Sequence, residues 1–432
     1  MPIPLGSASQ QNLLIRGQHR SRPIAVLAAL LLIAVLTLRP LGGSSGNGSA
    51  FLCLRCGSFG SVDVLLNTML FIPLGIGLAH SGLRASRAIV VSLLVTLTVE
   101  SLQLAFIAGR YASLSDVLSN SFGGGLGFLS GRHWRALLIP SPRSAAIVGF
   151  TIAAAWGGSR LLTAWLLVPS LPDSVWYGQI APKRVYPGAF RGRVIEASFA
   201  GAPLKAGPDP NLRTQLLAEG PSISATVTGA EPTPYLSSVV SVFDGRRREI
   251  MLLGQEGQDA RFRLRLRAAD QQFRVPSVRL PGAIHARADT IESITGAFRP
   301  GVISLSVRGT LGEQRTELRL GPGLGWALLL PLDVGLTPTT AMAYTAALTA
   351  AIMFAIGFFG GRMEPSRPLR SAGVTIALGA FGLWLPAVLF SGVRIEASEA
   401  LAALVGTVTG ALLARAEFRT GIEEMAPDEV AP

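Results

Sequence analysis

The sequence predicts an α-helical protein that crosses a membrane about eight times and carries one inserted all-β domain, and three observations lead to this fold class. Hydrophobic residues make up 49% of the 432 positions and charged residues only 15%, whereas about a quarter of the residues in soluble domains are charged. Apolar runs of membrane length recur at both ends of the chain. Between them, residues 173–333 have Pro-rich edges, turn signals and short alternating strands.

Eight apolar runs are interpreted as spanning helices, because about 17–25 residues are needed to cross the hydrocarbon core. The runs lie near 23–39, 62–79, 88–108, 117–131, 144–169, 338–360, 371–391 and 399–414. The first run follows Arg16, Arg20 and Arg22, as a signal peptide does, but no convincing small-residue cleavage site comes after it. We therefore expect a retained membrane anchor.

Arginines in the short loops predict the orientation of these spans. If there are eight spans, the arginines before the first and after the second, fourth, sixth and eighth all lie on one side: Arg16, Arg20, Arg22, Arg84, Arg87, Arg132, Arg135, Arg143, Arg362, Arg367, Arg370, Arg415 and Arg419. The positive-inside rule assigns this side to the cytoplasm. We expect a multi-pass protein of the bacterial inner membrane, with residues 1–22 and 415–432 cytoplasmic and residues 173–333 extracytoplasmic.

The net charge of +12 comes almost wholly from arginine, because Lys183 and Lys205 are the only lysines. This Arg-, Ala-, Gly- and Leu-rich composition fits a GC-rich bacterial genome. The charge would favour anionic lipid head groups or acidic glycans. The alternative is topological, since many of these arginines lie in loops between spans.

The two cysteines, Cys53 and Cys56, supply only half of a zinc site, and no βαβ pattern surrounds them. Two unpaired or locally bridged thiols are therefore expected rather than a metal or redox centre. We predict no metal, no cofactor and no nucleic-acid partner. The lipid bilayer is the expected partner, and the sequence identifies no protein partner.

Alternating residues predict a β-sandwich over residues 173–333. In "ARFRLRLRA", Phe262, Leu264 and Leu266 form an apolar face. The opposite face is a row of arginines: Arg261, Arg263, Arg265 and Arg267. The segment "SSVVSVFDGRRREIMLLGQEG" predicts two strands joined by an Asp-Gly turn, and "GVISLSVRGT" and "RTELRLG" predict another strand pair.

The order "VVSVFDGRRREIMLLGQEGQDARFRLRLRA" resembles the core of the concanavalin-A-like, laminin-G-type lectin sandwich, most clearly over residues 235–320. The resemblance implies a jelly roll that binds carbohydrate, with calcium in some members. No compact Asp/Asn cluster marks a calcium site here, so no metal ligand is carried over. The arginine row would face an acidic glycan or lipid heads, and the favoured alternative is a solvated outer face.

Polar residues are concentrated near the outer ends of the second, third and fourth spans. Glu100 and Gln103 share one face of the third span, because residues three apart are neighbours on a helix. Arg110 follows in the outer loop, Asp116 begins the fourth span, and Asn120 lies one turn further on.

The second span contributes Asn67, followed by Pro73 and Gly75, which allow a kink. Gly123 and Gly127 have GxxxG spacing, which predicts a close helix contact in the fourth span.

The segments "NTMLFIPLG" (67–75), "VESLQLAFIAGR" (99–110) and "DVLSNSFGGGLG" (116–127) closely resemble the VanZ family. The resemblance covers roughly residues 60–135 and implies a four-helix membrane module over 23–135. The founding member is associated with low-level resistance to the glycopeptide teicoplanin. This chain departs from that small type, because a fifth helix (144–169), the lectin-like domain (173–333) and three further helices (338–414) follow the module.

The polar set has a structural and a functional interpretation. Structurally, Arg110 pairs with Glu100 or Asp116, and the amides of Asn67, Gln103 and Asn120 join helices. Functionally, these groups form a pocket for a lipid-linked head group. In that pocket Arg110 holds a phosphate, Glu100 or Asp116 acts as a base, and the amides bind sugar hydroxyls.

The sequence therefore predicts a VanZ-like membrane protein that recognises or handles cell-envelope or exopolysaccharide glycan, free or lipid-linked, at the extracytoplasmic face. The first alternative is an enzyme that acts on a lipid-linked glycan or phosphate head group through Arg110 with Glu100 or Asp116. The second is a transporter. A transporter is disfavoured because the last three spans carry no matching Asn, Glu or Asp set.

Overall fold

A computed structural model of the chain describes residues 8–38, 59–107, 113–182, 188–228, 231–285, 290–310, 312–330, 332–364, 368–390 and 395–424. Arg110, Cys53 and Cys56 lie outside the described residues. The chain divides into two compact units, residues 1–140 and 141–432.

The first unit is entirely helical in its described part. Its helices are α1 (Ala8–Thr37), α2 (Gly60–His80), α3 (Ala85–Phe106), α4 (Leu114–Arg132) and the short α5 (Trp134–Leu138). Ile33 of α1, Phe71 and Leu74 of α2, and Phe128 of α4 meet in its buried core. Apolar residues also cover the outer surfaces of these helices, as expected for helices surrounded by lipid.

Helices α2 and α4 pack with their backbones in contact, because α4 carries glycine where the two helices cross. A Cβ atom on Gly123 would overlap the carbonyl oxygen of Thr68, and one on Gly127 would overlap that of Ile72. The predicted close contact through the GxxxG pair is therefore confirmed. Helix α2 continues through Pro73 to His80, so the chain at this proline remains helical.

The second unit contains α6 (Pro142–Leu166), α9 (Pro338–Met363), α10 (Pro368–Leu389) and α11 (Ala397–Glu424), with an all-β domain between α6 and α9. Trp156 of α6, Met353 and Ile356 of α9, Leu383 of α10 and Ala403 of α11 share a second buried core.

Helices α9 and α11 repeat the glycine packing of α2 and α4. A Cβ atom on Gly406 would overlap the carbonyl oxygen of Ala350, and one on Gly410 would overlap that of Phe354. The match extends beyond these contacts, because residues 114–132 align with 397–415 without a gap. The aligned pairs include Ser115 with Ser398, Asp116 with Glu399, Gly123 with Gly406, Gly127 with Gly410, and Arg132 with Arg415.

The remaining helices continue this correspondence. Residues 60–80 align with 342–362, which makes Gly77 equivalent to Phe359. Gly77 packs against Val26 of α1, and Phe359 packs against Gly149 of α6. Helices α3 and α10 have the same length of 22 residues.

The described chain thus contains two four-helix sets in the same order: α1, α2, α3 and α4, then α6, α9, α10 and α11. In the second set, the β domain lies between the first and second helices.

Five described helices are long and apolar enough to cross a membrane: Gly60–His80, Ala85–Phe106, Pro142–Leu166, Pro338–Met363 and Ala397–Ala416. Two shorter apolar helices, Pro23–Thr37 and Gly373–Leu389, coincide with the predicted first and seventh spans. The predicted fourth span corresponds to α4, which is not among the five. A membrane protein is therefore supported, and the number of eight spans stays a prediction.

The β domain consists of two largely antiparallel sheets around one core. Its strands are β1 (Trp176–Ile180), β2 (Gly188–Ala189), β3 (Arg193–Phe199), β4 (Ala202–Pro203), β5 (Gly207–Asp209), β6 (Ser222–Thr228), β7 (Thr233–Asp244), β8 (Glu249–Gly257), β9 (Asp259–Leu264), β10 (Ser277–Leu280), β11 (Ile291–Arg299), β12 (Val302–Gly309), β13 (Gly312–Arg319) and β14 (Gly335–Leu336). It also contains α7 (Leu212–Glu219), α8 (Arg267–Asp270) and a 3-10 segment (Pro322–Leu329).

One sheet has the order β14-β10-β9-β8-β7-β1-β5, with β2 beside β7, and the other has the order β13-β12-β11-β6-β3-β4. Phe262 and Leu264 of β9 are buried in the core, as their alternation predicts. The predicted β12–β13 pair is antiparallel. The predicted Asp-Gly turn joins β7 to β8, where Asp244 accepts hydrogen bonds from the backbone nitrogens of Arg246 (3.0 Å) and Arg248 (2.8 Å). The inserted all-β domain is confirmed, and its lectin-type jelly-roll topology stays a prediction.

The glycine contacts predict that positions along α4 differ sharply in their tolerance of larger side chains. We expect Gly127→Leu to destabilise the full-length protein by about 2 kcal/mol, because the added side chain forces α2 and α4 apart. Gly125→Leu is the matched control, since a Cβ atom at Gly125 meets no neighbour within 4 Å. Thermal denaturation in detergent should show a lower Tm for the first variant only. Equal shifts in both variants would contradict the packing described here.

Candidate functional site

The polar residues of the first unit meet around the start of α4. Asn67 Nδ2 donates a hydrogen bond to Asp116 Oδ1 over 2.6 Å, which joins α2 to α4. Ser113 Oγ donates to Asp116 Oδ2 over 2.8 Å, and the backbone nitrogen of Ser113 donates to Glu100 Oε2 over 3.2 Å. Ser113 therefore brings the two predicted carboxylates into one hydrogen-bonded cluster.

The local sequence explains why this cluster forms at a helix start. Ser113 is the N-cap of α4, with an extended backbone, and its Oγ accepts a hydrogen bond from the backbone nitrogen of Asp116. An N-cap serine satisfies a backbone donor of the first turn, and an acidic residue there interacts favourably with the positive end of the helix dipole. Ser113 was not among the predicted site residues, although Ser-x-x-Asp is a recognisable capping pattern.

Gln103 has a different partner from the rest of the predicted set. Its Nε2 donates to the backbone oxygen of Thr37 over 3.0 Å, and both residues are buried. This contact joins α3 to the end of α1. Together with the Asn67–Asp116 bond, it agrees with the structural interpretation in which amides hold the helices together.

Asn120 lies one helical turn beyond Asp116 and is 3% exposed. Among the described residues, its Oδ1 atom has no hydrogen-bond partner. The same is true of Ser92 Oγ and Thr96 Oγ1, two fully buried hydroxyls on α3. Ser92, Thr96 and Glu100 recur at every fourth position, so they lie along one face of α3. Ser92 and Thr96 were not among the predicted site residues, although their spacing from Glu100 in this row is visible in the sequence.

The buried row matters because unsatisfied polar atoms in an apolar interior are costly. A buried polar group without a hydrogen bond costs about 1–3 kcal/mol, and native proteins satisfy most such groups with protein, water or ligand. The α3–α4 contact therefore contains hydrogen-bonding capacity beyond that used by the cluster around Ser113. Arg110, the predicted cation of this site, lies outside the described residues.

The arginine row of the β domain is paired with carboxylates. Arg261 donates to Glu256 (2.7 Å) and to Asp333 (2.8 Å), and it is only 1% exposed. Arg263 donates to Glu249 through two nitrogens (2.6 and 3.0 Å) and to Asp333 (2.7 Å). Arg261 was predicted either to face an acidic glycan or lipid head groups or to be solvated. Both predictions are wrong for this residue, because it is buried and its charge is paired with two carboxylates.

The other two arginines of the row also have partners within the unit. Arg265 donates to Asp270 over 2.6 Å. The guanidinium carbon of Arg267 lies 5.6 Å from the centre of the Trp165 ring, within the range of a cation–π contact. Short-range alternation identified the row correctly, but not the acidic partners, which come mainly from other segments.

Charge pairing also changes the acidity of the shared carboxylate. Burial alone would raise the pKa of Asp333, but the guanidinium groups of Arg263 and Arg261 and their hydrogen bonds bring it below its ordinary value. The pKa of Arg263 is raised, because Glu249 and Asp333 outweigh the effect of its burial. Asp333 therefore stabilises the fold when ionised, and this contribution is lost as the pH falls through its lowered pKa.

The second unit contains a buried ion pair that was not predicted from the sequence. Arg160 of α6 donates to both carboxylate oxygens of Glu399 of α11, over 3.1 and 3.3 Å, and each residue is 3% exposed. The guanidinium group of Arg160 also lies over the Trp156 ring, at 5.1 Å. Glu399 aligns with Asp116, but Asn67 and Asn120 align with Thr349 and Ala403, so the last helices still carry no counterpart of the whole polar set.

Comparison with known proteins is informative for the first helices only. The VanZ/LLP1 family model matches residues 18–135, which include α2, α3, α4 and the cluster around Ser113. The predicted resemblance of this segment to the VanZ family is therefore supported. Searches of curated proteins and of solved structures give no significant match.

The Asn67–Asp116 contact predicts energetic coupling between α2 and α4. In a double-mutant cycle with Asn67→Ala and Asp116→Ala, we expect a coupling energy of about 1 kcal/mol, typical of interhelical polar bonds in membranes. The measurement is the free energy of unfolding of the full-length protein in mixed micelles. Asn67→Ala combined with Thr98→Ala is the control and should be additive, because Thr98 is exposed on α3 and bonds within its own helix. Additivity in both cycles would show that the 2.6 Å contact contributes nothing.

Proposed function

We propose that this chain is an integral protein of the bacterial inner membrane that binds the hydroxyl-rich head group of a cell-envelope or exopolysaccharide glycan, free or lipid-linked, at the extracytoplasmic face. The observation that carries the proposal is the buried Asn120 Oδ1 next to the Asp116 cluster, which has no hydrogen-bond partner in the described part of the chain. It lies within the segment that matches the VanZ/LLP1 family.

The chemistry of the cluster favours a ligand with hydroxyl groups. Asn120 Oδ1 is an acceptor and needs a donor, and serine and threonine hydroxyls can both donate and accept. Sugar hydroxyls have the same dual capacity, so one polyhydroxylated head group can satisfy several such atoms at once. The carboxylate of Asp116 is an additional acceptor one turn away on the same helix.

The inserted β domain is the second element of the proposal. Its two sheets are consistent with the resemblance to lectin sandwiches, and a glycan-binding domain between membrane helices would concentrate the ligand near the membrane. Arg261 and Arg263 are assigned no role in binding, because their charges are already satisfied by Glu249, Glu256 and Asp333.

An enzyme that acts on a lipid-linked glycan or phosphate head group is the second candidate. One observation favours it: Ser113 links Glu100 and Asp116, so two carboxylates lie in one cluster, as acid–base chemistry often requires. The proposed phosphate-binding group, Arg110, lies outside the described residues. Binding without turnover is the simpler function, because both carboxylates already accept hydrogen bonds from the helix start.

Two further functions are supported less directly. Transport gains support from the two related helix sets, since parallel repeats occur in transporters. Resistance to teicoplanin is implied only by the family resemblance.

The binding proposal predicts that Asn120 determines glycan affinity. Full-length protein in nanodiscs, applied to an array of bacterial envelope glycans, should retain at least one glycan, and Asn120→Ala should weaken that binding about tenfold. Ser101→Ala is the matched control, because Ser101 is exposed on α3 and bonds to Leu97 of its own helix. If no glycan is retained, or if Asn120→Ala binds as the parent does, the proposal is wrong.

The orientation is checked in the same protein after Cys53 and Cys56 are replaced by serine. In intact spheroplasts, an impermeant maleimide should label Gly245→Cys in the β domain. It should not label Ser86→Cys at the start of α3. The opposite labelling pattern would place the proposed site at the cytoplasmic face and exclude envelope glycan as its ligand.

A further inference from the structure

A cavity of about 330 Å³ lies in the second unit, where the β domain meets the first turns of α9 and α11. This volume is at the lower end of the range of about 300–1,000 Å³ typical of ligand sites. Its polar lining includes Glu317, Arg319, Thr345, Glu396 and Glu399. The cavity is distinct from the Asp116 cluster, which belongs to the first unit.

The inner wall of the cavity is a preformed polar structure. Glu399 is held by two hydrogen bonds from Arg160, so its charge is already neutralised. Thr345 Oγ1 accepts a hydrogen bond from Trp326 Nε1 over 3.0 Å and bonds to the backbone oxygen of Gly323 over 3.3 Å. A Cβ atom on Gly323 would overlap the Glu399 carboxylate. Glycine is therefore needed for the β domain to approach α11 this closely.

The residues at the start of α11, which line the cavity, correspond to the residues that form the polar cluster at the start of α4. Glu399 aligns with Asp116, and Glu396 aligns with Ser113. The backbone oxygen of Ser113 accepts from Val117 over 3.3 Å, and that of Glu396 accepts from Ala400 over 3.1 Å. Helices α4 and α11 therefore begin in the same way. The cavity and the polar cluster lie at equivalent ends of the two helix sets.

The charges that remain at the mouth of the cavity are of both signs. Glu396 is half-buried, and Arg319 is exposed at the end of β13. Glu399 is neutralised by Arg160, and Glu317 pairs with Arg315. Glu396 accepts one long hydrogen bond, from Ser398 Oγ over 3.4 Å, and has no ion pair within the described part of the chain, so its charge can bind a cation and Arg319 can bind an anion. A ligand with a positive and a negative group would match this arrangement better than a purely anionic or cationic one.

The surroundings of the cavity indicate the rest of the ligand. Leu324, Pro338, Ala341 and Met342 supply apolar lining. Met342 begins an exposed apolar surface of α9 that continues through Tyr344 and Leu348. Since α9 is apolar and long enough to cross a membrane, its first turn lies where lipid head groups would be. An amphiphile could place its head group in the cavity and its chains along α9.

We infer that this cavity binds the head group of a zwitterionic phospholipid with a primary ammonium group, of the phosphatidylethanolamine class. The ammonium donates hydrogen bonds to Glu396, the phosphate pairs with Arg319, and the acyl chains follow α9. The bound lipid ties the β domain to the helices of the second unit. This site is independent of the proposed glycan site around Asn120.

Native mass spectrometry of the full-length protein tests this inference. The protein is released from nanodiscs that contain equal amounts of phosphatidylethanolamine, phosphatidylcholine and phosphatidylglycerol. Phosphatidylethanolamine should be the main lipid retained, because phosphatidylcholine lacks N–H donors and phosphatidylglycerol lacks the positive charge. Glu396→Gln should lower its retention about tenfold, since a hydrogen-bonded ion pair is lost.

Two further variants distinguish a specific site from general lipid adhesion. Arg319→Gln should reduce the retention of all three lipids, because each contains a phosphate. Glu313→Gln is the matched control on the same strand: it pairs with Arg308, does not line the cavity, and should leave retention unchanged. Equal retention of the three lipids, or undiminished retention in Glu396→Gln, would overturn the inference. Binding of soluble phosphoethanolamine without any retained lipid would overturn it as well.

Discussion

The contact between glycine-bearing helix backbones is the constraint on which the rest of the helical structure depends. Because α4 presents glycine to α2, the two backbones touch and Asn67 can reach Asp116 across the interface. In a membrane, where apolar side chains gain little by leaving lipid, close packing and polar bonds must hold helices together. The glycines of α4 thus determine both the stability of the helix pair and the geometry of its polar cluster.

The two four-helix sets of the chain share the same helix order but contain different buried polar groups. In the first set, Asp116 accepts hydrogen bonds from Asn67 and Ser113, which are neutral side chains. In the second, Glu399 is paired with the cation Arg160. A charged group within a spanning segment must be paired or solvated. The second set contains an internal ion pair between Arg160 and Glu399. The first set contains buried polar atoms, among them Asn120 Oδ1, that have no hydrogen-bond partner within the described part of the chain.

The sequence predicted what depends on local pattern, but not what depends on distant partners. Hydropathy located the helices, alternation located β7, β8, β9, β12 and β13 of the β domain, and GxxxG spacing located the face of α4 that makes a close helix contact. Local pattern could not reveal the partner of Glu399, because the whole β domain separates Arg160 from Glu399 in the sequence. The partner of Arg261 was missed for the same reason, since Asp333 lies 72 residues further along the chain.

The relation between the two helix sets is the central claim, and cysteine cross-linking tests it most directly. In a background that lacks Cys53 and Cys56, Ala79→Cys with Gly131→Cys and Gly361→Cys with Ala414→Cys form equivalent pairs. A Cβ atom added to the glycine of either pair would lie 2.9 Å from the Cβ atom of the alanine. Disulfides bridge Cβ atoms about 3.8 Å apart, so a small relaxation suffices. Mild oxidation of native membranes should cross-link both pairs with similar yield. Cross-linking of the first pair alone would contradict the claim.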